Sequence, residues 1–184
     1  KHLQEIEPLE KGFRVTETVT LPKELDDVAR IGINFELNKD LDQYTYFGVG
    51  PHESMPDRAI GRVGKYSSTV EKQLTDYIKP QECGGHIGVR WFEISDSPAG
   101  GLAKNARGIR IELDKPRMVT VLPVTSQALA DATHNIYVKR SGTTVVTIDA
   151  IHRGVGTASC GPDTLDQYKI KPGTYKFTWT LTKL

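Results

Sequence analysis

The sequence is poor in cysteine and contains no long apolar run. Only two cysteines, Cys83 and Cys160, occur among 184 residues, which is too few for the disulfide framework of a small secreted domain. Both lie in glycine-rich stretches, so one bridge is possible if these stretches converge, but we expect two reduced thiols. No apolar run approaches the ~20 residues that span a bilayer, and we expect no membrane as a partner.

The sequence also lacks an excess of either charge. It contains 24 basic and 23 acidic residues and has a formal net charge of +1. No field of the whole molecule therefore attracts nucleic acid or anionic lipid. Basic residues such as Lys104, Arg107 and Arg110 are scattered rather than aligned among stacking aromatic residues. We expect no nucleic acid as a partner.

The first residues, Lys-His-Leu-Gln-Glu, contain neither an initiator methionine nor the apolar core of a signal peptide. This beginning is typical of a piece taken from a longer protein. It leaves the localisation unknown, with the cytoplasm slightly favoured.

Apolar residues recur mainly with a period of two, which is typical of strands that bury one face. The alternation is clearest in Ile-Gly-Ile-Asn-Phe-Glu-Leu at 31–37. One helix is predicted at 125–133, with Thr125 or Ser126 as its N-cap. The other predicted strands are 14–20, 87–94, 109–113, 144–150 and 174–181. We predict an all-β fold, an antiparallel β-sandwich with one short helix, forming a single domain over 1–184.

The segment 46–58, Tyr-Phe-Gly-Val-Gly-Pro-His-Glu-Ser-Met-Pro-Asp-Arg, is the strongest lead to function. Its glycines and prolines favour a loop of fixed shape that presents His52 beside Glu53. An imidazole and a carboxylate side by side at the end of a strand are typical of a polar binding surface. The favoured alternative is structural: Glu53 pairs with Arg58, His52 binds backbone carbonyls inside the turn, and Asp57 and Arg58 supply the local partners.

This segment resembles the Gly-Pro-His-Glu-x-x-x-Asp-Arg run of the C-terminal β-sandwich domain (small chain, domain 5 type) of glycoside hydrolase family 2 β-galactosidases. Further similarity follows in register along most of the chain. It includes Ala-Arg-Ile-Gly-Ile at 29–33, Tyr-Ile-Lys-Pro-Gln-Glu-Cys-Gly at 77–84, Val-Arg-Trp at 89–91, Leu122 to His134, and Gly-Val-Gly at 154–156. The resemblance implies the supersandwich fold of galactose mutarotases.

The resemblance also implies a role in the hydrolysis of terminal β-D-galactosides such as lactose by a retaining enzyme. The two catalytic carboxylates of that enzyme would lie in a (β/α)8 barrel outside this chain, so no catalytic residue is expected here. Glu93 and Glu112 fall in strand patterns and match no catalytic motif of the family. No cofactor is expected in this chain, whereas Mg²⁺ and a monovalent cation could belong to the parent enzyme.

The implied partners are the barrel domain and, at the edge of its active site, the galactoside. Many relatives carry Gly-Asp-Asp-Ser-Trp after Gly-Val-Gly, and here Cys160 stands near the position of that tryptophan. A cysteine offers no aromatic face to a sugar. The candidate residues for this active-site rim are Gly156, Thr157, Ser159, Cys160, His52, Glu53 and Glu82.

Two other functional classes stay open on the sequence. A carbohydrate-binding module would present a row of exposed aromatic residues, and an aldose-epimerase-like enzyme would need a general acid and a general base in an enclosed pocket. Candidates for such a pair are His52, Glu53, Glu82, His86 and His152. Cys83-Gly84-Gly85-His86 resembles half of a zinc site, but a second ligand pair is missing. We expect Trp91 and Trp179, which fall in strand patterns, to pack in the core.

Overall fold

The strands predicted from the period-two pattern are present, in a computed structural model that describes residues 1–96, 107–156 and 161–184. Within these ranges there are nine strands and one α-helix. The strands are β1 His2–Leu9, β2 Gly12–Leu21, β3 Arg30–Asn38, β4 Gln43–Gly50, β5 Arg62–Thr69, β6 Gly85–Ser95, β7 Gly108–Leu122, β8 Thr143–His152 and β9 Gly173–Lys183.

The helix α1 spans Ser126–Asp131, close to its predicted position. The Thr125 hydroxyl accepts the Ala128 N–H at 3.1 Å and caps its first turn. The residue after the helix, Ala132, is already extended, so α1 ends before the predicted boundary.

The long strand β7 organises the sheet, in which every strand pair is antiparallel. On one side β7 pairs with β6. On its other side, residues 109–113 pair with β9 and residues 118–122 pair with β8. Pro116 lies between these two segments, where its missing N–H interrupts neither ladder. Along this side, β7 therefore pairs with two separate groups of strands, β1–β2–β9 and β3–β8, which we call the two wings of the sheet. The strands β6, β4 and β5 continue the sheet on the other side of β7.

The two wings close over a common apolar core. Phe35 of β3 stacks on Trp179 of β9 with ring centroids 5.8 Å apart, although these two strands are not hydrogen-bonded to each other. The core draws on β4, β6, β7 and β8 through fully buried side chains such as Tyr44, Phe92 and Ile148. This is the antiparallel all-β sandwich with little helix that the sequence predicts.

The two tryptophans have different environments. Trp179 packs against the core as predicted. Trp91 does not belong to the core: it points away from its buried neighbour Phe92 and is only partly buried. The Arg110 guanidinium lies 4.2 Å from the centroid of the Trp91 ring. Arg110 also binds Glu93 at 2.6 Å and Glu112 at 3.0 Å, so these two carboxylates take part in a surface ion-pair cluster.

Candidate functional site

The loop that follows β4 is fixed against the first residues of β6. The Ser54 N–H donates to the Gly85 carbonyl at 2.7 Å, and the buried Ser54 hydroxyl accepts the Ile87 N–H at 3.0 Å. Within the loop, Met55 and Arg58 exchange two backbone hydrogen bonds. The segment singled out in the sequence is therefore a tight loop held at several points.

Glu53 is the central acceptor of this loop. Its Oε1 receives hydrogen bonds from the Tyr77 hydroxyl and, at 2.5 Å, from Arg58 Nη2. Its Oε2 receives the Thr75 hydroxyl and the Gly84 N–H, both at 2.8 Å. Burial works to raise the pKa of Glu53, but these hydrogen bonds and the Arg58 charge outweigh it and lower the pKa. The predicted pairing of Glu53 with Arg58 is present, and the carboxylate also ties the 75–84 segment to the loop.

His52 and His86, two of the predicted acid–base candidates, differ in accessibility. His52 is exposed at the start of the loop. His86 is buried and donates from Nε2 to the Gln73 side-chain oxygen at 2.7 Å, while its Nδ1 lies 2.9 Å from the Tyr46 hydroxyl. Burial lowers the pKa of His86 to about 4, so the ring is neutral near pH 7.

Glu82 belongs to a charge cluster that joins three parts of the chain. Arg30, the first residue of β3, donates to Glu82 Oε1 at 2.9 Å and binds the buried Asp149 of β8 with two hydrogen bonds, at 2.9 and 2.7 Å. Burial works to lower the pKa of Arg30, but the bonds and charges of Asp149 and Glu82 raise it above its ordinary value. Glu82 therefore serves at least one structural ion pair.

Asp57 contacts a distant turn rather than its neighbours in sequence. Its carboxylate accepts the N–H of Val155 at 3.1 Å and the N–H of Gly156 at 2.7 Å, just after the end of β8. The N–H of Gly154 donates to Nδ1 of the buried His152 at 2.9 Å. Burial, followed by the charge of Arg30, lowers the pKa of His152 to about 4, so the ring is neutral near pH 7. Because Nδ1 accepts the Gly154 N–H, the ring proton lies on Nε2.

The predicted rim residues that the structure describes, His52, Glu53, Glu82 and Gly156, thus fall on three connected segments. Glu53 joins the β4–β5 loop to Gly84, Arg30 joins Glu82 to β8, and Asp57 joins the loop to Gly156. Thr157, Ser159 and Cys160 lie outside the described residues. The sequence did not predict the contacts by which Asp57, Arg30 and Asp149 connect these segments. Asp57 was within the quoted segment, but nothing local indicated a partner nearly a hundred positions away.

Cys83 is a free, buried thiol, and burial raises its pKa to about 11. Its neighbour His86 is engaged by Tyr46 and Gln73, as described above. Across the described ranges no three His, Cys, Asp or Glu side chains come together in a way that could hold a metal ion. The Cys83–His86 pattern is therefore not part of a metal centre formed by these residues. No helix in the same ranges is long and apolar enough to cross a membrane.

A cavity of about 320 Å³, open to solvent, lies beside this region. Pro56 of the loop, His152 at the end of β8, and Tyr168 contribute to its wall. Asp149 and Arg117 also line it, but both are engaged in ion pairs, with Arg30 and Asp114 respectively. The two charged residues in its wall therefore form ion pairs within the protein.

The sequence is similar to known β-galactosidases over most of its length. Residues 9–181 match the family model described as beta galactosidase small chain. A β-galactosidase of Actinobacillus pleuropneumoniae is 30% identical over 161 residues, which cover 87% of this chain and 15% of the relative. A β-galactosidase of Lactobacillus delbrueckii subsp. bulgaricus is 35% identical over 142 residues, covering 77% and 13% respectively.

A β-galactosidase of Kluyveromyces lactis is 32% identical over 157 residues, covering 84% of this chain and 14% of the relative. The chain thus spans only 13–15% of the length of these three relatives. Because the family model covers nearly the whole sequence, the chain belongs to the β-galactosidase small-chain family.

Proposed function

We propose that this chain is the C-terminal domain of a retaining β-galactosidase of glycoside hydrolase family 2. In this proposal it completes the active-site rim and stabilises the parent enzyme, which hydrolyses terminal β-D-galactosides such as lactose. The rim comprises His52, Glu53, Glu82 and the chain from Gly156 to Gly161. Mg²⁺ and a monovalent cation, where the parent uses them, bind outside this domain.

The observation that carries the proposal is the linkage of three segments by Glu53, Arg30 and Asp57. These contacts fix the loop after β4, the segment before β6 and the turn after β8 relative to one another. A rim needs this property, since catalytic efficiency depends on how accurately substrate-positioning groups are held.

The same contacts argue against hydrolysis by the domain alone. A retaining glycosidase needs two carboxyl groups about 5–5.5 Å apart, one of which acts as nucleophile. Glu53 receives four hydrogen bonds, and Asp149 is held by two from Arg30. These carboxylates hold the fold, so the catalytic pair is expected in the barrel of the parent.

The test is hydrolysis of a chromogenic β-galactoside by this chain, by the remainder of the parent enzyme, and by a mixture of the two. We expect activity only in the mixture. A matched control is the chain with Phe92→Ala, whose disrupted core should prevent complementation.

Activity of the chain alone would contradict the assignment of the catalytic carboxylates to the barrel. If the mixture is also inactive, galactose titration and an optical-rotation assay of galactose mutarotation would be decisive. Binding without turnover would favour the carbohydrate-binding module, and accelerated mutarotation would favour the aldose-epimerase-like enzyme.

A further inference from the structure

The turn at 154–156 is held by side chains rather than by the sheet. Three successive backbone N–H groups point to two acceptors: Gly154 donates to His152 Nδ1, while Val155 and Gly156 donate to the Asp57 carboxylate. Successive N–H groups directed at one anion form a concave anion site of the kind called a nest. Here the anion is a side chain of the protein itself.

The glycines of this turn are required by its geometry. Gly154 has φ +80° and Gly156 has φ +60°, in the left-handed region that side chains disfavour. A Cβ added at Gly154 would lie 2.1 Å from Asp57 Oδ1. The carboxylate could avoid that atom only by moving away from the N–H groups that it accepts.

Asp57 is itself held in place by the loop that carries it. Its neighbour Arg58 pairs with Glu53, and Glu53 in turn accepts the Gly84 N–H. On the opposite side, a Cβ at Gly156 would lie 2.9 Å from the Thr164 backbone nitrogen. The turn is therefore enclosed between Asp57 and the 162–164 segment, and its position depends on the β4–β5 loop.

We propose that Asp57 is a positioning residue for galactoside hydrolysis: by binding the Val155 and Gly156 N–H groups, it sets where the chain leaves β8 for the active-site rim. This inference rests on the proposed function. Asp57 acts through the turn and does not itself contact the sugar. Loss of its carboxylate should therefore impair binding and orientation of the galactoside at the rim while the barrel carboxylates stay intact.

The experiment uses the full-length parent enzyme with Asp57→Asn, Asp57→Ala, Gly154→Ala and the double variant Asp57→Asn/Gly154→Ala. The side-chain oxygen of an asparagine can still accept one of the two N–H groups, but its NH₂ group would face the other. We therefore expect kcat/KM to be highest in the wild type, lower in Asp57→Asn and lowest in Asp57→Ala. Misplacement by about 1 Å can cost about 100-fold, and we expect losses of roughly 10-fold to 100-fold. Since both substitutions release the same turn, the double variant should lose little more than the worse single variant.

Two control variants separate this effect from general damage. Gly142→Ala introduces the same kind of strain, at φ +77°, but meets nothing within 4 Å. Asp40→Asn removes a surface carboxylate before β4, at the end of the strand opposite Asp57. Both controls should retain wild-type kcat and KM. Backbone amide exchange of 154–156 in the full-length enzyme should accelerate in the Asp57 variants and stay unchanged in both controls.

The outcomes distinguish the two proposals. An active wild type whose folded Asp57 variants keep wild-type kcat and KM would overturn the positioning role, even if their melting temperature fell. Unchanged amide exchange at 154–156 in Asp57→Ala would overturn it as well. A full-length wild type without β-galactosidase activity would instead refute the proposed function.

Discussion

Arg30 binds Asp149 through two parallel hydrogen bonds, at 2.9 and 2.7 Å, and so ties the first residue of β3 to β8. The Asp149 side chain is fully buried, and Arg30 is 22% exposed. A two-pronged contact between guanidinium and carboxylate is among the strongest hydrogen-bonded pairs in proteins. Since Arg30 also reaches Glu82, this one residue connects the sheet to the predicted rim.

Asp149→Ala should destabilise the protein by about 3 kcal/mol, because breaking a buried ion pair leaves the remaining charge poorly compensated. This is the low end of the usual range, since Glu82 still receives one Arg30 bond. Urea unfolding monitored by fluorescence measures the change in unfolding free energy. Glu71→Gln is the matched control: it breaks an exposed pair with Arg140 and should cost less than about 1 kcal/mol. Equal effects of the two substitutions would show that burial of the Arg30 pair contributes nothing.

His86 should make the protein sensitive to mild acid. Its folded pKa is lowered to about 4, so between pH 6.5 and 4 the unfolded chain takes up a proton that the folded chain does not. The stabilising contribution is therefore complete above about pH 6.5 and is lost as the pH falls toward 4, by roughly 3 kcal/mol at most. Glu53 opposes this lowering. His152 titrates in the same window and adds to the slope. Asp149 opposes it, because burial raises its pKa to about 6 and the folded chain takes up that proton in the same window.

Unfolding free energies of wild type, His86→Gln and His134→Gln, measured from pH 4 to pH 8, provide the check. His134 is exposed, and its variant is the control for replacing an imidazole as such. The His86 variant should show a shallower pH dependence, and a slope equal to that of wild type would refute the assignment.

Of the nine strands in the described residues, the period-two pattern predicted six and missed β1, β5 and the buried β4. Strand β3 was identifiable because Ile31, Ile33, Phe35 and Leu37 alternate along it and face the core. Strands β1 and β5 form the two ends of the main strand order and are largely exposed. Strand β1 is exposed on both faces, and Tyr66 is the one apolar side chain of β5 that packs against the core, so neither strand carries an alternating apolar pattern.

In the candidate site, the sequence likewise predicted a local contact but not a long-range one. The Glu53–Arg58 pair spans five positions and follows from local spacing. The contact of Asp57 with Gly156 spans 99 positions. It depends on how β4 and β8 are placed by β6 and β7, which no local pattern encodes.

Phe92→Ala should test the core shared by the two wings. Phe92 is fully buried among residues of β4, β6, β7 and β8. Removing a ring from such a site typically costs about 3–5 kcal/mol, because the surroundings collapse only in part. Phe13, in contrast, is 51% exposed on β2, and Phe13→Ala should cost much less. Guanidinium unfolding of both variants makes the comparison, and similar midpoints would contradict a common core centred on Phe92.

Glu53→Gln should loosen the loop by replacing a charged acceptor of four hydrogen bonds with an amide whose NH₂ group faces donors. Hydrogen bonds to a charged group contribute about 1.5–3 kcal/mol, so a loss of about 2 kcal/mol is expected at pH 7. Because the folded pKa of Glu53 is lowered, its contribution is complete above about pH 4.5 and is lost as the pH falls through the folded pKa.

The difference between Glu53→Gln and wild type should therefore shrink in acid, since protonation removes the same charge that the substitution removes. Thermal unfolding at pH 7 and at successively lower pH measures this convergence. Glu7→Gln, in an exposed pair with Arg14, is the matched control and should show little effect at any pH. A constant difference between Glu53→Gln and wild type down to pH 3 would mean that the amide acts through its shape, and not through the lost charge.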